Sequence, residues 1–388
     1  MTAWGAIRGA LLLVALAPFA YYVVAIFAAR RFFGRRSSGG TASDFTPPLS
    51  ILKPIYGLDR EAYENYASFC RQEYPEFEIL FCVSDDRDPA VPVIQKLIQD
   101  FPACSIRLLV GSEPLGASDK VNKLCRLVRE AHHEIVIVTD SDVRVEPGYL
   151  RAAAAPFQDP AVGGVTCLYR GLTDGSFAGG LEAMGNSADF AAGVLVHHLG
   201  AKINFMLGAT MATTKKYLAE IGGFESLVDY FCDDYELGNR LAARGHRVEL
   251  STFPVSIVYP HETLAEAFRH QVRWNLSIRY SRPAGHLGLI FTQALPWAIV
   301  AAIVAPSAGI ALAYIAAYVV LRVAMAWTVG VWGMQDRELR SKLALLPVRD
   351  AFAFLVWLAS FLPQRIHWRG REFYVRERRL IAATKRVP

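Results

Sequence analysis

The chain lacks the cysteine spacings that mark a zinc site or a redox pair. Its six cysteines, Cys70, Cys82, Cys104, Cys125, Cys167 and Cys232, include no CxxC, and no Cys/His set has metal-ligand spacing. Cys82 and Cys167 fall in apolar, strand-like runs and read as buried thiols, which suits a reducing, cytosolic compartment. Charge is also sparse: Asp, Glu, Lys and Arg make up 20% of the residues, and the net charge is only +5. No stripe of Lys and Arg interleaved with aromatics crosses the middle of the chain, which argues against nucleic acid as a partner. No internal repeat is visible.

Apolar residues are plentiful, at 53% of 388, and they concentrate at the two ends. Residues Ala10 to Ala29 (ALLLVALAPFAYYVVAIFAA) are long enough to span a bilayer as a helix kinked at Pro18. Arg30, Arg31, Arg35 and Arg36 come next, and by the positive-inside rule they place the adjoining segment in the cytosol. A short Ser/Gly linker, residues 37 to 43, separates this anchor from the middle of the chain. After about Arg282 the chain turns apolar again. Leu287 to Val304 and Ala308 to Val331 are each long enough to cross, with Arg322 inside the second, free to snorkel or to face a neighbour. Ala351 to Leu362 is too short to span and reads as re-entrant or interfacial. The tail is strongly basic, which favours the cytosolic side.

Between these ends, strands alternate with helices. LSILKPI, FEILFCVSD, IRLLVG, EIVIVTDSD and VGGVTCLYR read as strands, and VPVIQKLIQDF and KVNKLCRLVREA as helices. That pattern gives an α/β domain with a mostly parallel sheet, which binds ligands at the carboxyl ends of its strands. The expected organisation is an anchor at 1–36, a cytosolic α/β domain at 47–282, membrane segments at 286–363 and a basic tail at 364–388.

Acidic residues cluster at that carboxyl edge. Asp140-Ser141-Asp142 comes directly after EIVIVT, and two carboxylates one residue apart can hold Mg²⁺ or Mn²⁺ between protein and a diphosphate. The competing reading is an acidic turn. Asp85-Asp86 ends another strand, where a carboxylate can accept hydrogen bonds from a uracil ring or simply close a polar turn. Asp233-Asp234 opens the helix YELGNRLAARG; the helix dipole favours acids there, and one of them can serve as the base that deprotonates an attacking hydroxyl. His270-Gln271-Val272-Arg273-Trp274 precedes the membrane segments. Arg273 offers a planar fork for phosphate and Trp274 a wall for an acceptor; an interfacial Arg/Trp belt is the alternative.

Taken together, EILFCVSDDRDPA, KVNKL, VTDSDVRV, GATMA, IGGF, DDYELG, QVRW and HWRGREF make the chain resemble ceramide glucosyltransferases and the similar bacterial hopanoid-pathway glycosyltransferases. The resemblance covers nearly the whole chain. It implies a GT-A (Rossmann-like) catalytic domain and inverting transfer from a UDP-sugar, with UDP-glucose expected, to a lipid hydroxyl at the bacterial inner membrane. Its three key acids match Asp85, Asp140 and Asp234, with Asp142 completing the metal pair and Asp233 beside the base. Lys53 and Lys120 lie in matching segments as donor-phosphate contacts or plain surface lysines. The family pattern ending in RW carries Gln or Arg at its first position, where this chain has His270. Ceramide, a hopanoid and diacylglycerol stay open as acceptors, as do glucose and N-acetylglucosamine as the sugar. A processive polysaccharide synthase shares the same acids but normally needs more spans. Oligomeric state stays open.

Overall fold

The computed structural model describes residues 3–37, 45–260, 263–362, 366–368 and 371–382. The Ser/Gly linker, apart from Ser37, and part of the basic tail lie outside the described residues. The chain divides into two compact units. One is formed by Gly39–Leu172, Lys202–Pro260 and Gln364–Pro388, the other by Met1–Ser38, Thr173–Ala201 and His261–Pro363.

The first unit is built on a sheet. Its strands are β1 (Leu49–Pro54), β2 (Phe77–Val83), β3 (Ser105–Val110), β4 (Ile135–Val138), β5 (Val143–Arg144), β6 (Val162–Leu172), β7 (Met211–Thr214) and β8 (Arg247–Val258). Among the described residues they form one sheet in the order β3-β2-β1-β4-β7-β6-β8-β5. β1 to β4 are parallel; β1, β2 and β4 are near-continuous apolar runs, buried along almost their whole length as strands covered on both faces are, while β3 at the edge is only half buried. Ile51 sits in register between Ile79 and Ile137, and all three are fully buried. The other half of the sheet departs from the expected pattern, because β7 runs antiparallel to both β4 and β6. β7 is only four residues, MATT, and β8 carries Pro254 and alternating polar residues, so neither has the apolar run that announces a strand. Leu172 and Tyr259 are joined by a backbone hydrogen bond of 2.9 Å.

The described part of the tail is also folded in this unit. β9 (Ile366–Trp368), β10 (Arg371–Arg376) and β11 (Arg379–Ala382) make a three-stranded antiparallel sheet.

The second unit is helical. Its core gathers Leu181, Met184, Ala188, Ala326, Leu339 and Leu346. Among the described residues two helices are long and apolar enough to cross a membrane: Ala3–Phe33, with 31 residues, and Ala308–Gly333, with 26. The first is broken at Ala15–Leu16, just ahead of Pro18. The run expected as a single span at Leu287–Val304 is not straight. Pro283–Thr292 and Ala294–Val304 meet at 52°, as a broken span or a re-entrant loop. Leu346–Ala359 is a 14-residue helix. Arg322 does not snorkel. It is buried against Asp350, at 2.7 Å, and Asp189, at 2.6 Å.

Candidate active site

Three sequence segments converge at the carboxyl edge of β1 and β4. Lys53 is the fifth residue of β1 and is fully buried, with its ammonium 3.9 Å from the centre of the Phe69 ring. It donates a 3.1 Å hydrogen bond to the Asp140 carbonyl. Burial pushes its pKa down to about 7, against the opposing pull of Asp142, Asp140 and Asp59. Thr139 continues the β4 register by donating to the Leu52 carbonyl, and Val143 donates to the Asp140 carbonyl, which fixes the turn carrying both carboxylates.

Lys120 arrives on the helix Asp119–Glu130. Ser118 caps that helix, its hydroxyl accepting from the Val121 amide. Buried Lys123 anchors it by donating to the Ile55 carbonyl at 2.6 Å and to Asp119 at 2.8 Å. The Lys120 ammonium then lies 2.9 Å from Asp140 and 3.2 Å from Asp233. Burial works against its charge, but Asp140, Asp233 and Asp234 outweigh it and hold its pKa above the ordinary lysine range.

The third segment is the helix Asp233–Ala243. Gly238 lets it approach the chain closely: a Cβ there would lie 2.3 Å from the Phe205 carbonyl carbon. The Met206 amide donates to the Asp234 carbonyl at 3.3 Å. This brings Gly208 beside the acids. A Cβ on Gly208 would stand 3.1 Å from Asp140 Oδ2, 3.5 Å from Asp234 Oδ2 and 3.8 Å from Lys120 Nζ. Asp140, Asp234 and Lys120 therefore surround one point. Asp233 faces Lys120, while Asp234 Oδ1 accepts from the Tyr235 amide at 2.7 Å. Burial first, and Asp233 next, raise the Asp234 carboxyl to about 7. Burial, Asp140 and Asp59 raise Asp142 to about 8, with Lys53 opposing.

Asp142 Oδ1 is sealed from solvent without a hydrogen-bond partner among the described residues. That orphaned oxygen and neighbouring Asp140 supply the hard oxygen donors that Mg²⁺ and Mn²⁺ prefer. Among the described residues no group of three or more His, Cys, Asp or Glu could hold a metal, so the remaining ligands would come from phosphate and water.

Asp85 lies just past β2 at the same edge of the sheet. It is half exposed and paired with Arg87 at 3.0 Å, and the hydrogen bonds from Arg87 hold its pKa well below the carboxylate range. His270, Gln271, Arg273 and Trp274 lie in the other unit, on the helix Leu264–Ser281. His270 Nδ1 is 2.6 Å from the buried carboxylate of Glu182, and Gln271 donates to the same oxygen at 3.1 Å. The His270 and Trp274 rings are 5.1 Å apart. The unusual histidine is thus matched by an acid that sequence reasoning missed. Its signal was a lone Glu in the apolar run FAGGLEAM. Gly208, Gly238 and Asp59 were missed as well; both glycines act through the side chain they do not have, and GATMA and DDYELG were their only signal.

A family model for glycosyl transferase family 21 matches residues 10–381. The chain belongs to this family. It is similar to ceramide glucosyltransferase 1 of Caenorhabditis elegans, 30% identical over 230 residues that cover 59% of this chain and 49% of the relative. It is also similar to the ceramide glucosyltransferase of Gibberella zeae, 33% identical over 134 residues, covering 32% and 25% respectively. The chain therefore spans about half the length, or less, of these curated relatives. Among solved structures it resembles the mannosyltransferase PcManGT from Pyrobaculum calidifontis, in complex with GDP-Man and Mn²⁺, with a TM-score of 0.50 and 18% identity over 90% of this chain and 99% of that one. That likeness establishes the GT-A-type α/β fold for this family 21 member.

Proposed function

We propose that the chain is an inverting glycosyltransferase that moves glucose from UDP-glucose to the hydroxyl of a membrane lipid, ceramide, giving a β-glycosyl lipid. The observation that carries this reading is the meeting of Asp140, Asp234 and Lys120 around Gly208. The ceramide glucosyltransferase relatives support the acceptor and the sugar.

Asp234 acts as the base. Its raised pKa suits a group that takes a proton near neutral pH. The acceptor oxygen forms a bond to the anomeric carbon, its proton passes to Asp234, and the bond from that carbon to the diphosphate breaks with its electron pair leaving on UDP. Lys120 and Lys53 provide positive charge at the diphosphate, Asp85 meets the uracil, and Arg273 and Trp274 are read as donor-binding residues. Asp140 and Asp142 would hold the Mg²⁺ or Mn²⁺, which supplies charge neutralisation for the departing diphosphate. Asp233 fixes Lys120, and His270 and Gln271 brace the Arg273–Trp274 helix through Glu182.

In this reading residues 1–36 anchor the chain in a bacterial inner membrane, 47–282 form the catalytic domain, and 286–363 return to the bilayer. The arginines after the first span support a cytosolic position for the domain. The deciding experiment incubates purified protein with a panel of UDP-sugars and lipids and reads products by mass spectrometry. One hexose on ceramide is expected. A polymer would favour a processive synthase, and no transfer from any UDP-sugar would overturn the reading.

A further inference from the structure

The described strands β10 and β11 have no role in the chemistry above, yet their connecting turn pairs with the loop that leads into the acids. β10 and β11 form a hairpin whose turn is Glu377–Arg378. Both residues are left-handed, with φ of 52° and 65°. Neither is the Asn or Gly that such a turn prefers. Backbone strain of this kind persists where surrounding contacts impose it, and the contacts here are specific. The Phe231 amide donates to the Arg378 carbonyl at 2.9 Å, and the Leu380 amide donates to the Asp229 carbonyl at 2.7 Å. Tyr230 and Arg379 form an antiparallel bridge. The Arg378 guanidinium donates to Glu236, in the first turn of the acid helix, at 3.2 Å. Asp229 in turn accepts from the Ala117 amide at 2.9 Å, and Val228 accepts from the Ser118 amide at 2.7 Å. The segment at 228–231 thus joins the hairpin to both the Lys120 helix and the Asp233–Asp234 helix.

We propose that this C-terminal hairpin is a strap that completes the active site, with Arg378 as a positioning residue for Asp234. By pairing with residues 229–231 it adds a strand to the loop that leads into Asp233. The kinetic consequence rests on the reading of Asp234 as base; the ordering of residues 228–236 does not.

The test uses full-length protein and three variants. Arg378→Gly relaxes the left-handed turn while removing the guanidinium. Arg378→Lys restores a cation. Leu380→Pro removes the amide that donates to Asp229. With UDP-glucose and ceramide, Arg378→Gly is expected to lose about tenfold in kcat, with little change in donor KM and no fall in melting temperature, because misplaced catalytic groups cost rate. Arg378→Lys should recover part of it. A purely structural hairpin would leave Arg378→Gly as active as the wild type, which would overturn the assignment. Hydrogen exchange monitored by mass spectrometry reads the ordering without any turnover. Peptides covering 228–236 should exchange faster in Leu380→Pro than in the wild type, and unchanged protection would overturn the strap even if the wild-type enzyme proved inactive on every lipid tried. Faster exchange beside an inactive wild type would support the strap and place the failure in the proposed substrates.

Discussion

Two buried charge clusters invite comparison, one in each unit. In the helical unit Arg322 and Arg349 meet Asp189 and Asp350, two charges against two, with Tyr318 donating to Asp350 at 2.9 Å. The members are almost wholly enclosed except for Asp189. In the sheet unit Lys120 faces Asp140, Asp233 and Asp234, three acids to one lysine, and the Asp140 side chain keeps 39% of its exposure. The first cluster is closed and balanced, so it consumes its own charge and serves to hold helices together. The second is open and carries excess negative charge, so it is stable only in a fold that restrains it, and it has charge left to spend on a ligand. Balance and access, rather than burial alone, separate a structural charge cluster from a reactive one.

That contrast can be broken by experiment. The largest effect is expected from chelation: EDTA abolishes glycosyl transfer, and Mn²⁺ or Mg²⁺ restores it, whereas full activity in chelator would remove the cation from Asp140 and Asp142. Next, Asp234→Asn lowers turnover by roughly 10² to 10⁴-fold, the usual loss for a general base, with UDP-sugar affinity near normal when measured by titration. Asp233→Glu retains substantial activity. Near-normal turnover in Asp234→Asn with a dead Asp233→Asn would reverse the two roles.

The same residue gives a pH signature of opposite sign for rate and stability. Turnover should rise with pH through about 7, as Asp234 loses its proton. A carboxyl raised in the folded chain binds more protons there than in the unfolded chain, so stability falls as pH rises from about 4 to about 7. Asp234→Asn should therefore melt above the wild type at pH 8 and beside it at pH 4. Equal melting temperatures at both pH values would show that the excess charge is not restrained by the fold.

Smaller effects sharpen the comparison. Gly208→Ala, whose Cβ meets Asp140 at 3.1 Å, should lose about tenfold in turnover with an unchanged melting temperature. In the balanced cluster, Asp350→Ala leaves Arg322 with one carboxylate, Asp189, in place of two and costs up to about 3–5 kcal/mol of stability. Replacing Asp350 and Arg322 together by apolar residues of similar volume should restore most of that, with kcat of the folded fraction unmoved. A kcat that follows Asp350 would place the helical cluster in the chemistry.

The sequence made one half of this molecule far more legible than the other. Runs such as FEILFCV and EIVIV declare buried parallel strands by composition alone, and the acids that end them mark the carboxyl edge of the sheet. β7 and β8 are not legible in this way, since short or mixed strands gain their identity from partners distant in the chain. Lys53 and Lys120 carry no mark separating a site lysine from a surface one; only burial among carboxylates does that. Glu182 and Asp350 look like isolated acids because their partners lie 88 and 28 positions away. The break at Gln293 is hidden because residues on both sides are equally apolar.

That break has a further consequence. Where a helix stops in hydrocarbon, the amides and carbonyls it releases find no water. Here side chains take that place: Trp297 donates to the Ile290 carbonyl at 3.0 Å, Thr292 to the Leu289 carbonyl at 2.8 Å, and the hydroxyl of Tyr22 receives the Ala294 amide at 3.5 Å. The chain thus carries its own solvent for the bend. A corner furnished in this way has its released polar groups answered from within the chain, and one of the partners, Tyr22, sits in the first helix some 270 residues upstream.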